Sequence, residues 1–534
     1  METWRRSIVL QWSALLALLV GVPWFRGGYV LSYDMVWVPR LELSRSDVWG
    51  LGSALPRAVP SDAVASLLGA AVDPQVVQRV VLLGALVLAA TGGARLVREL
   101  GLPAQMAAAT FALWNPFVAE RLVLGQWPLL VAYGALFWLV VGLREDRRSV
   151  YALALVGTAL TPASGLMGVL VAVVVGRRVV GPVVLGALVN APWIAAALLN
   201  SDALAPDSGA VRSFAVEPEG PFGRVGAVLA LGGIWNRDVV PDSRGLLLVA
   251  LIVLVLWVVM VVGLVRLLRT DRGLGVSLSL LAVVGLLLAW SGWWAPDLVS
   301  RGIDAFGPLA LLRDGTRYLP LLALLEVVAL GHGVAFLVTR LRALETTRGA
   351  WAVPAVLGVL LPLAALPDLA DGVGGRLEPV EYPAGWTRAA GEVAALDVRG
   401  DVLVLPFTAY RAPSWNDDRP VLDPAGRFFD RDTVTDDRLV VGGLTVAGED
   451  PRARRVRTIL RGPERRRDRA LAAEGIGVVV SGTDTSAPRV RAVPGARVRD
   501  VAQEERIIMT AAFSVAGLVA LLSLVGVLRR LLGR

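Results

Sequence analysis

Just past the first apolar stretch stands Tyr29-Val-Leu-Ser-Tyr33-Asp34-Met35-Val36-Trp37. This puts the Asp34 carboxylate near a membrane–water boundary, among aromatics that anchor at that depth. Such a group can take a proton from an attacking hydroxyl or hold a divalent cation; as an ordinary loop acid it would pair with Arg40. A second polar cluster, Leu312-Arg313-Asp314-Gly315-Thr316-Arg317-Tyr318, precedes an apolar helix. Arg313 and Arg317, four apart, share one helix face and can grip a phosphate in a fork, or else snorkel to the boundary. Trp114-Asn-Pro-Phe-Val-Ala-Glu120-Arg121 offers two more charges. They either line a head-group cavity or pair with each other at a helix end. Glu326 and His332 fall inside an apolar stretch, where ionisable groups are costly and are paired or face a cavity; His332 reads as a packed, neutral imidazole.

Composition removes other chemistries. The chain of 534 residues has no cysteine and one histidine. Disulfides, thiolate catalysis and His- or Cys-based metal centres are thereby excluded, and the residues point to no resident metal or other cofactor beyond a divalent cation at Asp34. With 55% hydrophobic and 18% charged residues, a mean hydropathy of +0.62 and a net charge of +8, the chain reads as a membrane protein. The positive charge reads as topology and lipid contact, not nucleic-acid binding.

These residues are positioned by apolar blocks near 8–25, 77–96, 104–119, 127–143, 149–161, 163–176, 179–199, 245–267, 274–292, 318–339, 350–367 and 508–528. Each is read as a crossing, with 149–176 split into two short helices at Thr161-Pro162, and residues 1–24 as an uncleaved first helix. Short connectors carry Arg95 and Arg98; Arg144, Arg147 and Arg148; Arg177 and Arg178; Arg266, Arg269 and Arg272; Arg340, Arg342 and Arg348; and, at the end, Arg529, Arg530 and Arg534. The positive-inside rule then puts both termini in the cytoplasm and the chain in the cytoplasmic membrane. The long loops 26–76, 200–244 and 293–317 fall on the opposite side. The first holds Trp49 to Arg57 and a segment from Asp62 to Gly69 whose spacing suits an interfacial helix. Residues 1–367 thus form a transmembrane core and 508–534 a final helix with a basic tail. Residues 368–507 are charged, proline-punctuated and free of spans. A helix near 386–396, a strand at 401–406, a basic helical stretch over 451–474 and a strand at 476–481 predict a small extracytoplasmic α/β domain.

The chain resembles the GT-C superfamily of membrane glycosyltransferases, in particular large actinobacterial and archaeal members. The resemblance rests on Asp34 after the first helix, Trp114-Asn-Pro-Phe-Val-Ala-Glu-Arg121, Leu312-Arg-Asp-Gly-Thr-Arg-Tyr318 and Val402-Leu-Val-Leu-Pro-Phe407. It implies a GT-C-like polytopic α-helical fold of about twelve transmembrane helices. It also implies transfer of a sugar from a polyprenyl-phosphate donor to a cell-envelope glycan or lipid acceptor at the outer membrane face. Asp34 would be the catalytic base, and Arg313 and Arg317 would hold the donor phosphate. Glu120, Arg121, Asp314 and Glu326 would support the cavity. The outer domain would bind acceptor, with Trp386, Tyr410 and Trp415 as stacking residues. A flippase of lipid-linked glycans and a non-catalytic envelope scaffold are the other functions open to this layout; a flippase would be expected to show inverted repeats and charges at the bilayer midplane.

Overall fold

Runs of Leu, Val and Ala leave no polar side chain to compete for backbone groups, and in hydrocarbon those groups must be satisfied within the segment, so the runs become helices. The computed structural model describes residues 2–52, 58–200, 207–344, 349–441, 443–498 and 500–533. The sequence readings at Pro56, Arg57, Arg348 and Arg534 lie outside them. Among the described residues, eight helices are long and apolar enough to cross a membrane: Trp4–Phe25, Pro74–Leu96, Trp127–Arg144, Val180–Leu199, Leu247–Thr270, Arg272–Trp294, Gly315–Ala343 and Gln503–Leu531. A ninth crossing is available if Ala352–Ala365 and Pro367–Gly374, bent by 71°, are one span. The remaining apolar blocks form Leu102–Leu113, Arg148–Thr158 and Pro162–Gly176. At 1.5 Å per residue these reach only about 16–23 Å, short of a 30 Å core.

The breaks are built by side chains. Leu102–Leu113 stops at Trp114; Asn115 then caps Pro116–Val123 by accepting from Val118 N at 3.1 Å. Thr161 likewise accepts from Ser164 N at 3.2 Å and opens Pro162–Gly176. Arginine-bearing turns meet at one end of the bundle: Arg95 and Arg98 bond Glu145, and Arg144 bonds Asp271 at 2.6 Å. At the other end the long loops join residues 368–507, through Arg376 to Val240 O at 3.0 Å and Arg313 to Glu449 at 3.2 Å.

In the appended domain, Asp401–Leu405 lies at the centre of a four-stranded sheet, parallel to Ile476–Ser481 on one side and Thr433–Val434 on the other. Arg489–Ala492 adds an antiparallel edge next to Ile476–Ser481. Alternation along the central strand sends Val402 and Val404 against Trp386, Ala389 and Val393 of the Ala384–Ala395 helix, and Leu403 against Val456 and Leu471. The latter two come from Pro451–Arg461 and Glu464–Ala473, the basic stretch that Gly462-Pro463 splits in two. Helices on both faces explain why the strand sequences are continuously apolar.

The first loop is sewn to this domain. Tyr29–Val30 pairs antiparallel with Pro379–Val380. Tyr33 N donates to Pro420 O at 2.7 Å, and Leu422 N to Tyr33 O at 2.8 Å. The predicted interfacial helix is Ser61–Ala71, whose Asp62 takes a two-point bond from Arg427, at 2.9 and 3.2 Å.

Candidate active site

Asp34 sits where three segments converge. Its own loop is locked to the turn after Pro116–Val123: Asp34 N donates to Leu124 O at 3.0 Å and Ser32 Oγ to Val123 O at 2.6 Å. Gly125 has φ +80°, and a Cβ there would fall 2.1 Å from Met35 N, so only glycine lets the two backbones touch. The partly buried Asp34 carboxylate then accepts from Gln126 Nε2 at 3.2 Å through one oxygen and from the Tyr410 hydroxyl through the other. Arg40, the partner expected of an ordinary loop acid, pairs instead with Glu42.

Behind Gln126 runs a buried chain. Arg121, 1% exposed, donates to Gln126 Oε1 at 2.8 Å, Asp314 at 3.3 Å and Thr316 at 2.6 Å. Thr316 donates to Asp314 at 2.7 Å, and Arg317 Nε approaches the same carboxylate at 3.0 Å. Burial alone would raise the Asp314 carboxyl, but Arg121 and Arg317 outweigh it and hold its pKa at about 2. Glu120 turns away from its sequence neighbour. It lies beside Glu219, which bonds Arg244 at 3.2 Å. Burial first, then the Glu219 carboxylate, keeps Glu120 well above the usual carboxylate range, against Arg244 and Arg121.

A pocket of about 390 Å³ begins two residues past Asp34, which is not itself in the lining: its walls are Val36, Trp37, Leu41, Asp62, Trp127 and Arg427, among others. The Trp37 and Trp127 rings stand 5.4 Å apart, and Arg427 is close enough to feel the Asp34 charge. The region therefore brings a hydrogen-bonded carboxylate close to a pocket with aromatic walls and the Arg427 guanidinium. It can accept a proton, cover an apolar or sugar ring face, and hold an anionic oxygen. Among the described residues no three His, Cys, Asp or Glu side chains converge on a metal position. A cation at Asp34 would draw its remaining ligands from substrate oxygens.

Among solved structures, the chain is similar to the arabinofuranosyltransferase AftD from Mycobacteria, with TM-score 0.53 and 18% identity over 95% of this chain. The chain has the GT-C fold. It spans 36% of the AftD chain. The oligosaccharyltransferase of Archaeoglobus fulgidus is also similar, at TM-score 0.45 and 12% identity, covering 89% of this chain and 69% of that one. No family model matches the sequence, and no curated protein does.

Within this GT-C fold the sequence-derived residues separate. Asp34, Arg121, Asp314, Arg317 and Tyr410 belong to one bonded cluster. Arg313 departs from the expected fork: residues 307–318 form two 3₁₀ turns rather than one α-helix, and the Arg313 side chain meets Glu449 and the Phe214 ring. Trp386 is fully buried between Trp415, Phe428 and Phe429, so no ring face is left for an acceptor. Trp415, half-buried, packs on it and donates to Thr483 O at 3.2 Å. Glu326 lines a different pocket. The bonded cluster and the nearby pocket also contain residues that the sequence reading did not single out as site residues: Gln126, Thr316, Asp62 and Arg427. Only Gln126, beside a glycine after an Asn-Pro break, carried a local signal.

Proposed function

We propose that this chain is a membrane glycosyltransferase that moves a sugar from a polyprenyl-phosphate donor to a hydroxyl of a cell-envelope glycan or lipid, on the outer side of the cytoplasmic membrane. The observation that carries this reading is the Asp34 carboxylate, fixed by Gln126 and Tyr410 a short way from a pocket lined by Trp37, Trp127 and Arg427, in a fold similar to that of an arabinofuranosyltransferase. Asp34 takes the acceptor's proton while the acceptor oxygen bonds to the anomeric carbon. The bond from that carbon to the phosphate oxygen breaks in the same step, inverting the centre, and the polyprenyl phosphate leaves with the electron pair. Arg317, 38% exposed at its side chain, and Arg427 stabilise the departing charge. Arg313 holds the appended domain through Glu449, and acceptor enters between that domain and the core.

The test is direct. The protein in lipid nanodiscs is given farnesyl-phosphate conjugates of arabinofuranose and of common hexoses, with envelope glycan acceptors, and release of farnesyl phosphate is followed. Acceptor-dependent release that Asp34→Asn abolishes is expected. Release from every conjugate unaffected by Asp34→Asn would remove Asp34 from the chemistry.

A further inference from the structure

The Gly315–Ala343 span carries a carboxyl that the candidate active site does not use. Glu326 is 8% exposed, and its Oε2 has no hydrogen-bond partner among the described residues. A buried polar atom left in that state is costly and calls for a partner. It lines a pocket of about 370 Å³ together with Trp114, Arg244, Leu256, Trp257 and Pro362, among others. Glu326 and Arg244 are the ionisable residues of that lining, and none of the lining residues is shared with the pocket beside Asp34.

The walls show where an occupant comes from. Leu256 and Trp257 belong to Leu247–Thr270, and Pro362 to Ala352–Ala365. The outward faces of these helices, at Leu254, Val258 and Leu360, are exposed apolar surface that meets lipid. Arg244 stands just before the Leu247–Thr270 helix, at the boundary on the domain-bearing side, and Glu326 lies about 9 Å along its helix from Pro320. Arg244 Nε is taken by Glu219. A head group seated here meets a guanidinium at the boundary and a carboxyl nearly two helical turns deeper.

We propose that this pocket binds the head of a neutral, hydroxyl-bearing membrane amphiphile, whose chain leaves along the Leu247–Thr270 helix into the bilayer. A cationic head would face Arg244, and an anionic one the carboxyl of Glu326. A hydroxyl donates and accepts, so it satisfies both partners. This site is separate from glycosyl transfer and does not depend on it.

The apolar reagent dicyclohexylcarbodiimide, applied to the protein in nanodiscs, tests it, with modification of Glu326 read by peptide mass spectrometry. Monododecyl glycerol, a diol, is expected to slow modification at least fivefold, while its dimethyl ether leaves the rate within twofold. Arg244→Met is expected to remove most of that protection while Glu326 still reacts. The proposal is overturned if Glu326 does not react, if diol and dimethyl ether act alike, or if dodecyl phosphate protects better than the diol.

Discussion

The Tyr410 hydroxyl donates to the Asp34 carboxylate across 376 positions of sequence. The contact joins the first loop of the membrane core to the appended domain at the atom on which the proposed chemistry turns. Tyr33 is bound to the same domain through its backbone, so the domain and the base form one unit. Tyr410→Phe removes the hydroxyl and keeps the ring. We expect transfer to fall about 10- to 100-fold, in line with the loss of one charge-assisted hydrogen bond of about 1.5–3 kcal/mol. Steady-state rates with an unchanged unfolding temperature would check this, and wild-type rates would sink it.

Asp34→Asn keeps the shape and can still accept from Gln126 while its amide donates to Tyr410, but it cannot accept a proton. Loss of a general base typically costs about 10²- to 10⁴-fold. Product formation by correctly inserted protein is the measurement, and a loss under threefold would contradict the assigned role.

Arg313 and Arg317 are expected to behave differently although four residues separate them. Arg317→Ala is expected to lower kcat/KM for donor about 10- to 100-fold, chiefly through KM. Arg313→Ala frees Glu449 and Phe214; it is expected to spare donor KM and to make residues 368–507 easier for protease to reach. Equal effects on donor KM would restore the two-arginine fork.

Arg121→Met should be the most damaging single change near the site. It takes the buried guanidinium from the Asp314 carboxylate and leaves it only the half-exposed Arg317 and Thr316, and breaking a buried pair costs about 3–5 kcal/mol. Thermal unfolding by tryptophan fluorescence should show a large drop in Tm, eased by Arg121→Met with Asp314→Asn. No relief in the double variant would mean that the pair is not coupled.

Glu120 gives a pH signature. Its folded pKa lies above the unfolded value of about 4.3, so the fold holds the extra proton. Stability from that group is complete below the unfolded pKa and declines as pH rises toward the folded one. Glu120→Gln removes the decline, so its Tm relative to wild type should rise from pH 5 to pH 8. A constant difference would mean Glu120 is ionised in the fold.

The order of amino acids alone determined the membrane character, the break at Asn115-Pro116, the helix-strand alternation of residues 384–481 and the position of Asp34 in the loop after the first helix. These follow from local properties: run length against bilayer thickness, capping side chains, and apolar runs between turn residues. Which helices reach full length was less legible, because Leu102–Leu113 and Pro162–Gly176 are largely apolar yet bounded by the breaks at Asn115-Pro116 and Thr161-Pro162. The partners of the charges were decided by tertiary structure alone. Arg121 chose Asp314 over adjacent Glu120, Arg313 chose Glu449, and Trp386 entered a core instead of a binding face. Charge pairing and burial depend on which segments meet in space, and Asp34 and Tyr410 meet where the first loop pairs with the appended domain, at Tyr29–Val30 with Pro379–Val380 and at Tyr33 with Pro420 and Leu422.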